Sequence, residues 1–550
     1  MLCPVCAAGP ARAIETKRSR FFRCSACSLV FRDPADSPDD AEARARYGLH
    51  RNNSDNGGYV AFLNRIIDRA LAAAGPGVRR IVDWGSGPAA VCSDLLRSRG
   101  YFVDSWDPFF AADKLPRAES CDLALCIEVA EHFRDPLPDF LELASRVRPG
   151  GLLALHTHLV PDGDEAFRAW WYKEDRTHVA FYAEGTLSRL ARIAGLTLVG
   201  IEEGRLALFR RPLPVLVAGG ANFDIEGRPF APLVSGDSNP GRVRFFSGGT
   251  GRNVAEDLRR LGIAVEFLGA VGDDGPGKEL LSGCLRAGLG TAGISILSGE
   301  TTSSYLSILD EGGEVSVALA GMDIYERFGP DLALEAAGRA AAAAAERSFL
   351  PTDSAGSAPF SAIAVDANLR PEAAEALLDR FPDVPAWLDP VSAAKARRFA
   401  AYRGGALIPR FRGLKPNVAE AESLTGLIIP VGGAEERGVL AAKALRARGA
   451  VGILYVSLGS EGAYWQEDND EFFFVPPPAE IVSTTGAGDA FFASAVRSFV
   501  LGARGREEVV RAAFCAAAAL GAPEASPPGL SAAALESAID FWRKGETERE

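Results

Sequence analysis

The sequence predicts an α/β protein in which one architecture is laid down twice, and three observations predict it. From Ile81 to about Arg210, short apolar strands alternate with amphipathic helices. The alternation starts afresh at Val215 and runs to about residue 540, after a seam at Arg211-Pro212-Leu213-Pro214. The chain has 550 residues, too many for one core, so two or three domains are expected. Strands alternating with helices read as a parallel sheet with both faces covered.

In the first half, strands are expected at Ile81-Val82-Asp83, Phe102-Val103-Asp104, Leu123-Ala124-Leu125 and Leu152 to Leu155, with a helix from Val91 to Arg99. The second half opens on Val215-Leu216-Val217-Ala218-Gly219-Gly220. Within it, Ser304 to Asp310 and Glu314 to Leu319 flank Glu311-Gly312-Gly313, a β-hairpin signal inside an α/β pattern, as a lid would give. The run Ala340–Ala345 extends a helix, since alanine has the best helix propensity. Residues 351–360 read as a loop, and Lys544 to Glu550 as a frayed, charged tail.

The composition, 47% hydrophobic and 24% charged, is that of a soluble globular protein. No apolar run reaches membrane-spanning length, and Met1-Leu2-Cys3-Pro4 does not open a signal peptide. A formal net charge of −13 argues against a broad nucleic-acid footprint, so small-molecule substrates are expected. Four of the nine cysteines form the pairs Cys3/Cys6 and Cys24/Cys27, with 17 residues between the pairs. That spacing fits one tetrahedral structural Zn²⁺ held by four thiolates, in a ribbon over residues 1–35, and it suits a reducing cytoplasm. All five histidines (His50, His132, His156, His158, His178) lie in the first 180 residues. A general base in the second half must therefore be a carboxylate or a lysine.

The richest stretch is Ser483-Thr484-Thr485-Gly486-Ala487-Gly488-Asp489-Ala490-Phe491-Phe492, a strand-like run that turns into an apolar helix. The N–H groups of Gly486, Ala487 and Gly488 open a helix and form an anion site. Asp489 beside them can take a proton from an alcohol, and the pair implies phosphoryl transfer. Taken singly, Asp489 could only balance a helix dipole, Gly219-Gly220 could only form a turn, and Asn417 with Glu420 could only cap a helix.

Together with Asn222-Phe223-Asp224, Ser238-Asn239-Pro240-Gly241, Gly248-Gly249-Thr250-Gly251-Arg252-Asn253, Val271-Gly272-Asp273-Asp274-Gly275, Lys415-Pro416-Asn417-Val418-Ala419-Glu420 and Ser457-Leu458-Gly459-Ser460-Glu461-Gly462, this turn resembles the ribokinase-like (PfkB) carbohydrate kinases over residues 213–540. Gly-Gly-Ala-Asn-Phe-Asp at 219–224, Arg252, Ala320-Gly321-Met322-Asp323-Ile324-Tyr325 and Leu388-Asp389-Pro390-Val391-Ser392 with Lys395 are most similar to the pseudouridine kinases of that family. The resemblance implies a ribokinase-like domain with a β lid, ATP and Mg²⁺ as cofactors, and phosphorylation of a nucleoside 5′-hydroxyl. It implies Asp489 as base with Gly486, Ala487 and Gly488 around the transferred phosphoryl group. It implies Asn222, Asp224, Asn239, Gly249 and Asn253 on the substrate, and Asn417, Glu420, Ser457 and Gly459 on the Mg²⁺ and nucleotide side. Potassium-binding relatives often carry an aspartate six residues before the base. Ser483 stands there, so K⁺ is not carried over. Many relatives dimerise through the lid, which implies a homodimer.

In the first half, Asp83-Trp84-Gly85-Ser86-Gly87 follows a strand, Asp107 ends the next, and Cys126-Ile127-Glu128-Val129-Ala130-Glu131-His132 and Arg148-Pro149-Gly150-Gly151 come later. With Trp171 to His178 behind them, residues 36–211 resemble a class I, Rossmann-like S-adenosylmethionine-dependent methyltransferase. That resemblance implies S-adenosylmethionine bound at Asp83, Gly85, Gly87 and Asp107. Glu128, Glu131 and His132 match a stretch next to the cofactor. His156 and His158 are expected on one face of a strand, in an acceptor pocket or buried, with His178 nearby. Two alternatives stay open: a kinase for another nucleoside or sugar (ribose, adenosine), and a first half that binds or docks without catalysis.

Overall fold

A computed structural model describes residues 1–48, 52–111, 120–310, 315–350, 358–476, 478–479, 481–483 and 485–547. The hairpin tip at 311–314, most of the loop at 351–360, His50, Thr484 and the last three residues of the tail lie outside the described residues. The chain separates into two compact units: Met1–Leu213 with Arg347–Ser357 and Ala532–Glu550, and Pro214–Glu346 with Ala358–Ser531. Among the described residues no helix is long and apolar enough to cross a membrane.

In the first unit, Arg12–Glu15, Arg20–Arg23 and Val30–Arg32 form an antiparallel ribbon, which Ala180–Phe181 joins as a fourth strand. A six-stranded sheet follows, in the order Phe102–Trp106, Arg80–Trp84, Cys121–Ile127, Val147–His156, Leu206–Arg210, Thr197–Glu202. The alternation of side chains along these strands serves two cores. Ile81, Leu123, Leu125 and Leu152 meet the helices Gly57–Ala74 and Val91–Ser98. Val82, Ala124, Cys126 and Leu153 meet Pro136–Ser145 and Glu184–Ala194 on the other face. The expected parallel sheet needs one correction: only the first four strands are parallel, and Leu206–Arg210 runs antiparallel to both its neighbours. Residues 203–205 are too short a link for a crossover, which takes a dozen residues or more.

The C-terminal helix Ala532–Thr547 packs within this first unit. Arg189 meets Asp540 at 2.5 Å and Arg192 meets Glu536 at 2.9 Å. Asp540 and Glu536 are buried, so removing either arginine would strand a charge.

In the second unit, a nine-stranded sheet among the described residues runs Gly290–Leu297, Val265–Gly272, Val215–Ala218, Ala362–Asp366, Ala386–Asp389, Gly413–Leu414, Ile453–Ser457, Ala463–Glu467, Asp470–Phe474. The pairs up to Ile453–Ser457 are parallel and the last two are antiparallel. A separate four-stranded sheet, ordered Gly241–Gly248, Asn222–Pro229, Ser304–Leu309, Val315–Gly321, contains the predicted hairpin. The alanine run lies in the helix Pro330–Arg347.

Candidate active sites

In a parallel α/β sheet, ligands gather beyond the carboxyl ends of the strands, where helix N-termini also point. In the second unit Gly219 and Gly220, Asn368, Asp389, Lys415 and Asn417, and Gly459 all lie at or just beyond such strand ends. The helix Ala487–Val500 starts at Gly486, whose φ of 86° and an added Cβ 2.1 Å from the Ala525 carbonyl oxygen admit only glycine. The N–H groups of Gly486, Ala487 and Gly488 meet no acceptor among the described residues. Asp489, in the first turn, accepts from Asn253 Nδ2 at 2.8 Å through Oδ2. Burial pushes its carboxyl up to about 7, and the nearby Asp389 and Asp366 add to this against Asn253 and Lys415.

Around that aspartate the polar groups interlock. Lys415 Nζ donates to Asp389 Oδ2 at 3.0 Å and lies 3.1 Å from where a Cβ on Gly488 would stand. Burial works against the Lys415 charge, but Asp389, Glu420 and Asp489 outweigh it and raise its pKa. Asn417 caps Val418–Thr425: its Oδ1 accepts from Glu420 N at 2.9 Å, and Glu420 accepts from Asn417 N at 2.9 Å and Nδ2 at 3.0 Å. This is a capping box, yet Glu420 is 5% exposed, so its carboxylate faces the interior rather than water. Burial and Asp389 raise its pKa. Asn417 also bridges to Ser457, and Ser457 N donates to Pro416 O at 3.0 Å. Gly459 takes φ 62° with open space where a side chain would be.

On the lid side, Asn222 Oδ1 accepts from Ser303 Oγ at 2.7 Å. Asp224 keeps one buried oxygen, Oδ1, with no partner among the described residues. Burial drives its carboxyl up to about 7, and Asp489 adds to the rise against Arg252. A Cβ on Gly249, at φ 96°, would stand 2.6 Å from the Gly220 carbonyl oxygen, so the helix Thr250–Arg260 can start only from a glycine.

In the first unit, the Sγ atoms of Cys3, Cys6, Cys24 and Cys27 are buried and lie within 4.8 Å of one another. Cys24 Sγ also accepts from Ala26 N at 3.3 Å and Cys27 N at 3.4 Å, as a ligating thiolate does. Four converging sulfurs fit Zn²⁺ and leave no position for a substrate. After the strand Arg80–Trp84, Gly85 at φ 81° packs against Val129, and Gly87 at φ 66° faces open space. Glu128 accepts from Tyr172 Oη at 3.1 Å and meets His156 Nδ1 at 2.8 Å, while the His158 ring lies 4.5 Å from that of Tyr172. The regular strand stops at His156, so the expected strand pair of histidines is corrected to one at the strand end and one beyond it. His156 meets Glu128, and His158 lies beside Tyr172.

Known proteins divide the chain in the same way. The pfkB family carbohydrate kinase profile matches residues 215–532. The chain belongs to the pfkB carbohydrate kinase family. Pseudouridine kinase of Escherichia coli (strain K12) is 33% identical over 327 residues, 59% of this chain and 96% of that protein. Guanosine-inosine kinase of Exiguobacterium acetylicum is 26% identical over 54% of this chain and 90% of its own length. A solved carbohydrate kinase from Agrobacterium tumefaciens is 26% identical, covers 60% of this chain and 97% of its own, and has a TM-score of 0.48. A methyltransferase domain spans residues 56–201.

The pfkB unit thus brings together Asp489, Gly486, Ala487, Gly488 and Asn253, with Asp224 and Lys415 acting electrostatically on the same cluster. It does not bring in Asn239, whose carboxamide accepts from Val234 N at 2.7 Å and donates to Val234 O and Asp237 O inside its own loop. In the methyltransferase unit Asp83 is turned inward to Ser93 Oγ at 2.7 Å. Asp107 accepts from the N–H groups of Gly87, Phe109 and Phe110, closing the glycine turn. Sequence reasoning missed Asp366 and Asn368. Asp366 accepts from Gly220 N at 2.8 Å and from Asn368 N at 2.7 Å, and Asn368 accepts from the Lys395 ammonium. The available signal was a carboxylate ending a fully buried strand, Ala362–Asp366, with an asparagine two residues beyond.

Proposed function

We propose that the pfkB unit transfers the γ-phosphate of ATP to the 5′-hydroxyl of a nucleoside, pseudouridine first among them. The observation that carries the chemistry is Asp489 held by Asn253 beside three helix-terminal amides that meet no acceptor among the described residues. Asp489 takes the hydroxyl proton as the alcohol oxygen bonds to the γ-phosphorus. The bond to the β,γ-bridging oxygen breaks, and its electron pair leaves with ADP. The three amides meet the charge that spreads over the transferred phosphoryl group. Asp224 Oδ1 is oriented to accept from a ribose hydroxyl, with Asn222, Gly249 and Asn253 shaping that side. The carboxylates of Asp366, Asp389, Glu420 and Asp489 outnumber the two lysines, Lys395 and Lys415, a surplus that fits a divalent cation. Mg²⁺ there, near Asn417 and Glu420, would neutralise phosphate charge when bound, with Ser457 and Gly459 on the nucleotide side. The choice of pseudouridine rests on the Escherichia coli relative at 33% identity. ATP turnover with pseudouridine, uridine, guanosine, adenosine and ribose tests it. Pseudouridine should give the highest kcat/KM, and an equal or higher value for another acceptor removes the assignment.

The methyltransferase unit is proposed to bind S-adenosylmethionine at Asp83, Gly85, Gly87 and Asp107, with Asp107 closing the Gly85–Gly87 turn. The cofactor supplies an electrophilic methyl group. Glu128, His156 and Tyr172 form the polar wall against which an acceptor would be held.

The pfkB lid also presents one apolar face. Val243 and Phe245, and Val315, Val317 and Leu319, alternate along the two edge strands of the four-stranded sheet and are 54–65% exposed. A face of that kind fits a second copy of the lid. Light scattering should give a dimer, and Val317→Glu with Leu319→Glu a monomer. A wild-type monomer at micromolar concentration sinks this reading.

A further inference from the structure

The methyltransferase unit holds a second cluster that none of these roles uses. One donor atom from each of Glu131, His132 and His178 lies within 4.8 Å of the other two. Glu131 is 1% exposed, and neither of its carboxylate oxygens has a hydrogen-bond partner among the described residues. A carboxylate buried without a partner is costly, because nothing replaces the water it gave up. The Tyr172 hydroxyl donates to Glu128 at 3.1 Å, and His156 also engages Glu128.

The two imidazoles are prepared in a matching way. His132 Nδ1 lies 2.9 Å from the Thr177 carbonyl oxygen, and His178 Nδ1 lies 2.7 Å from that of Tyr172. A carbonyl oxygen only accepts, so each Nδ1 carries the proton and each Nε2 keeps a lone pair. Fixing the tautomer through a backbone carbonyl is how metal-binding histidines are held. The rings stand 4.9 Å apart and are half-buried. Val179 N donates to Glu131 O at 2.7 Å, which ties the turn Ala130–His132 to the segment bearing His178. The three side chains therefore converge without an ion to gather them.

We propose that Glu131, His132 and His178 bind one divalent transition-metal ion, of the class that two imidazoles and a carboxylate select together. Three protein ligands leave coordination positions open to an oxygen of a bound molecule. The four-thiolate cysteine site, by contrast, is closed.

The test uses the full-length protein and cobalt(II) as the probe. Cobalt bound to thiolates shows sulfur charge-transfer absorption, whereas cobalt bound to nitrogen and oxygen shows only its weaker ligand-field bands. The wild type should bind two cobalt ions per chain and show both signatures. Glu131→Gln and His178→Asn should each lose the nitrogen–oxygen signature and one bound ion, keeping the thiolate bands as evidence of a folded ribbon. If Glu131→Gln loses both signatures, His132→Asn decides, because its half-buried ring tolerates replacement better than the buried carboxylate. A wild type showing only thiolate-bound cobalt overturns the proposal. So do variants that keep both signatures.

Discussion

The two units solve the problem of a buried carboxylate in opposite ways. In the pfkB unit, Asp489 sits among groups of the chain itself that balance it: the Asn253 amide at 2.8 Å and the Lys415 ammonium, which is anchored on Asp389. In the methyltransferase unit, neither carboxylate oxygen of Glu131 has a hydrogen-bond partner among the described residues, and both imidazoles beside it place Nδ1 on a backbone carbonyl. The first arrangement suits a base that must exchange a proton with a substrate. The second is incomplete until a cation arrives. The difference teaches that burial alone does not tell a base from a ligand; the donors facing the carboxylate do.

The largest effect that sharpens this comparison is on the rate of phosphorylation. Asp489→Asn keeps the shape of the side chain but removes the base. Nucleoside phosphorylation should fall by at least ~10²-fold in kcat, with smaller changes in KM. Binding of S-adenosylmethionine, measured by calorimetry on the same variant, should be unchanged. A kcat within tenfold of wild type would break the contrast, since Asp489 would then be only a capping charge.

Asp224 gives a smaller effect of a different kind. Its orphaned Oδ1 is an acceptor kept for the substrate, so Asp224→Asn should raise the nucleoside KM by roughly 10-fold, the value of one hydrogen bond to a charged acceptor. The KM for ATP should stay near that of wild type. If both KM values rose together, the defect would lie in the lid as a whole rather than in a sugar contact.

Much of the pfkB cluster was legible because its residues are clustered in sequence at strand ends and helix starts, where glycine and carboxylate types carry information. Gly486 and Gly249 are required by backbone geometry that a motif encodes directly. Asp366 and Asn368 were not legible, because a carboxylate after a buried strand resembles any strand end until Gly220 is seen to donate to it. Asn239 lies apart from that cluster for the converse reason: an asparagine in a proline-glycine loop satisfies its own backbone first. In the methyltransferase unit the four cysteines were legible from spacing alone. The pairing of His178 with Glu131 and His132 was not, since 45 residues separate the two histidines and only the fold closes that gap. The same holds for the helix Ala532–Thr547, whose Glu536 and Asp540 find Arg192 and Arg189 far back in the chain.

The smallest predicted effect is on stability, and its sign follows from burial. Asp489 and Asp224 both have folded-state pKa values raised to about 7. An unfolded aspartate ionises near 3.9. Below that pH both states hold the proton, and neither residue costs stability. As pH rises toward 7, the unfolded chain gives up the proton while the folded unit keeps it, so stability is lost across that window; above it the loss is complete. An asparagine carries no such penalty. Asp489→Asn should therefore melt above wild type, with a gap that widens between pH 5 and pH 8. Solvent screening holds the widening to about 2–4 °C, as expected for roughly 1 kcal/mol in a unit of this size. A gap that narrowed with rising pH would mean that the Lys415 charge outweighs burial and that Asp489 is an ion-pair partner. The pfkB cluster would then hold its carboxylate by charge rather than by a proton, and its contrast with Glu131 would shrink to a difference in which cation does the balancing.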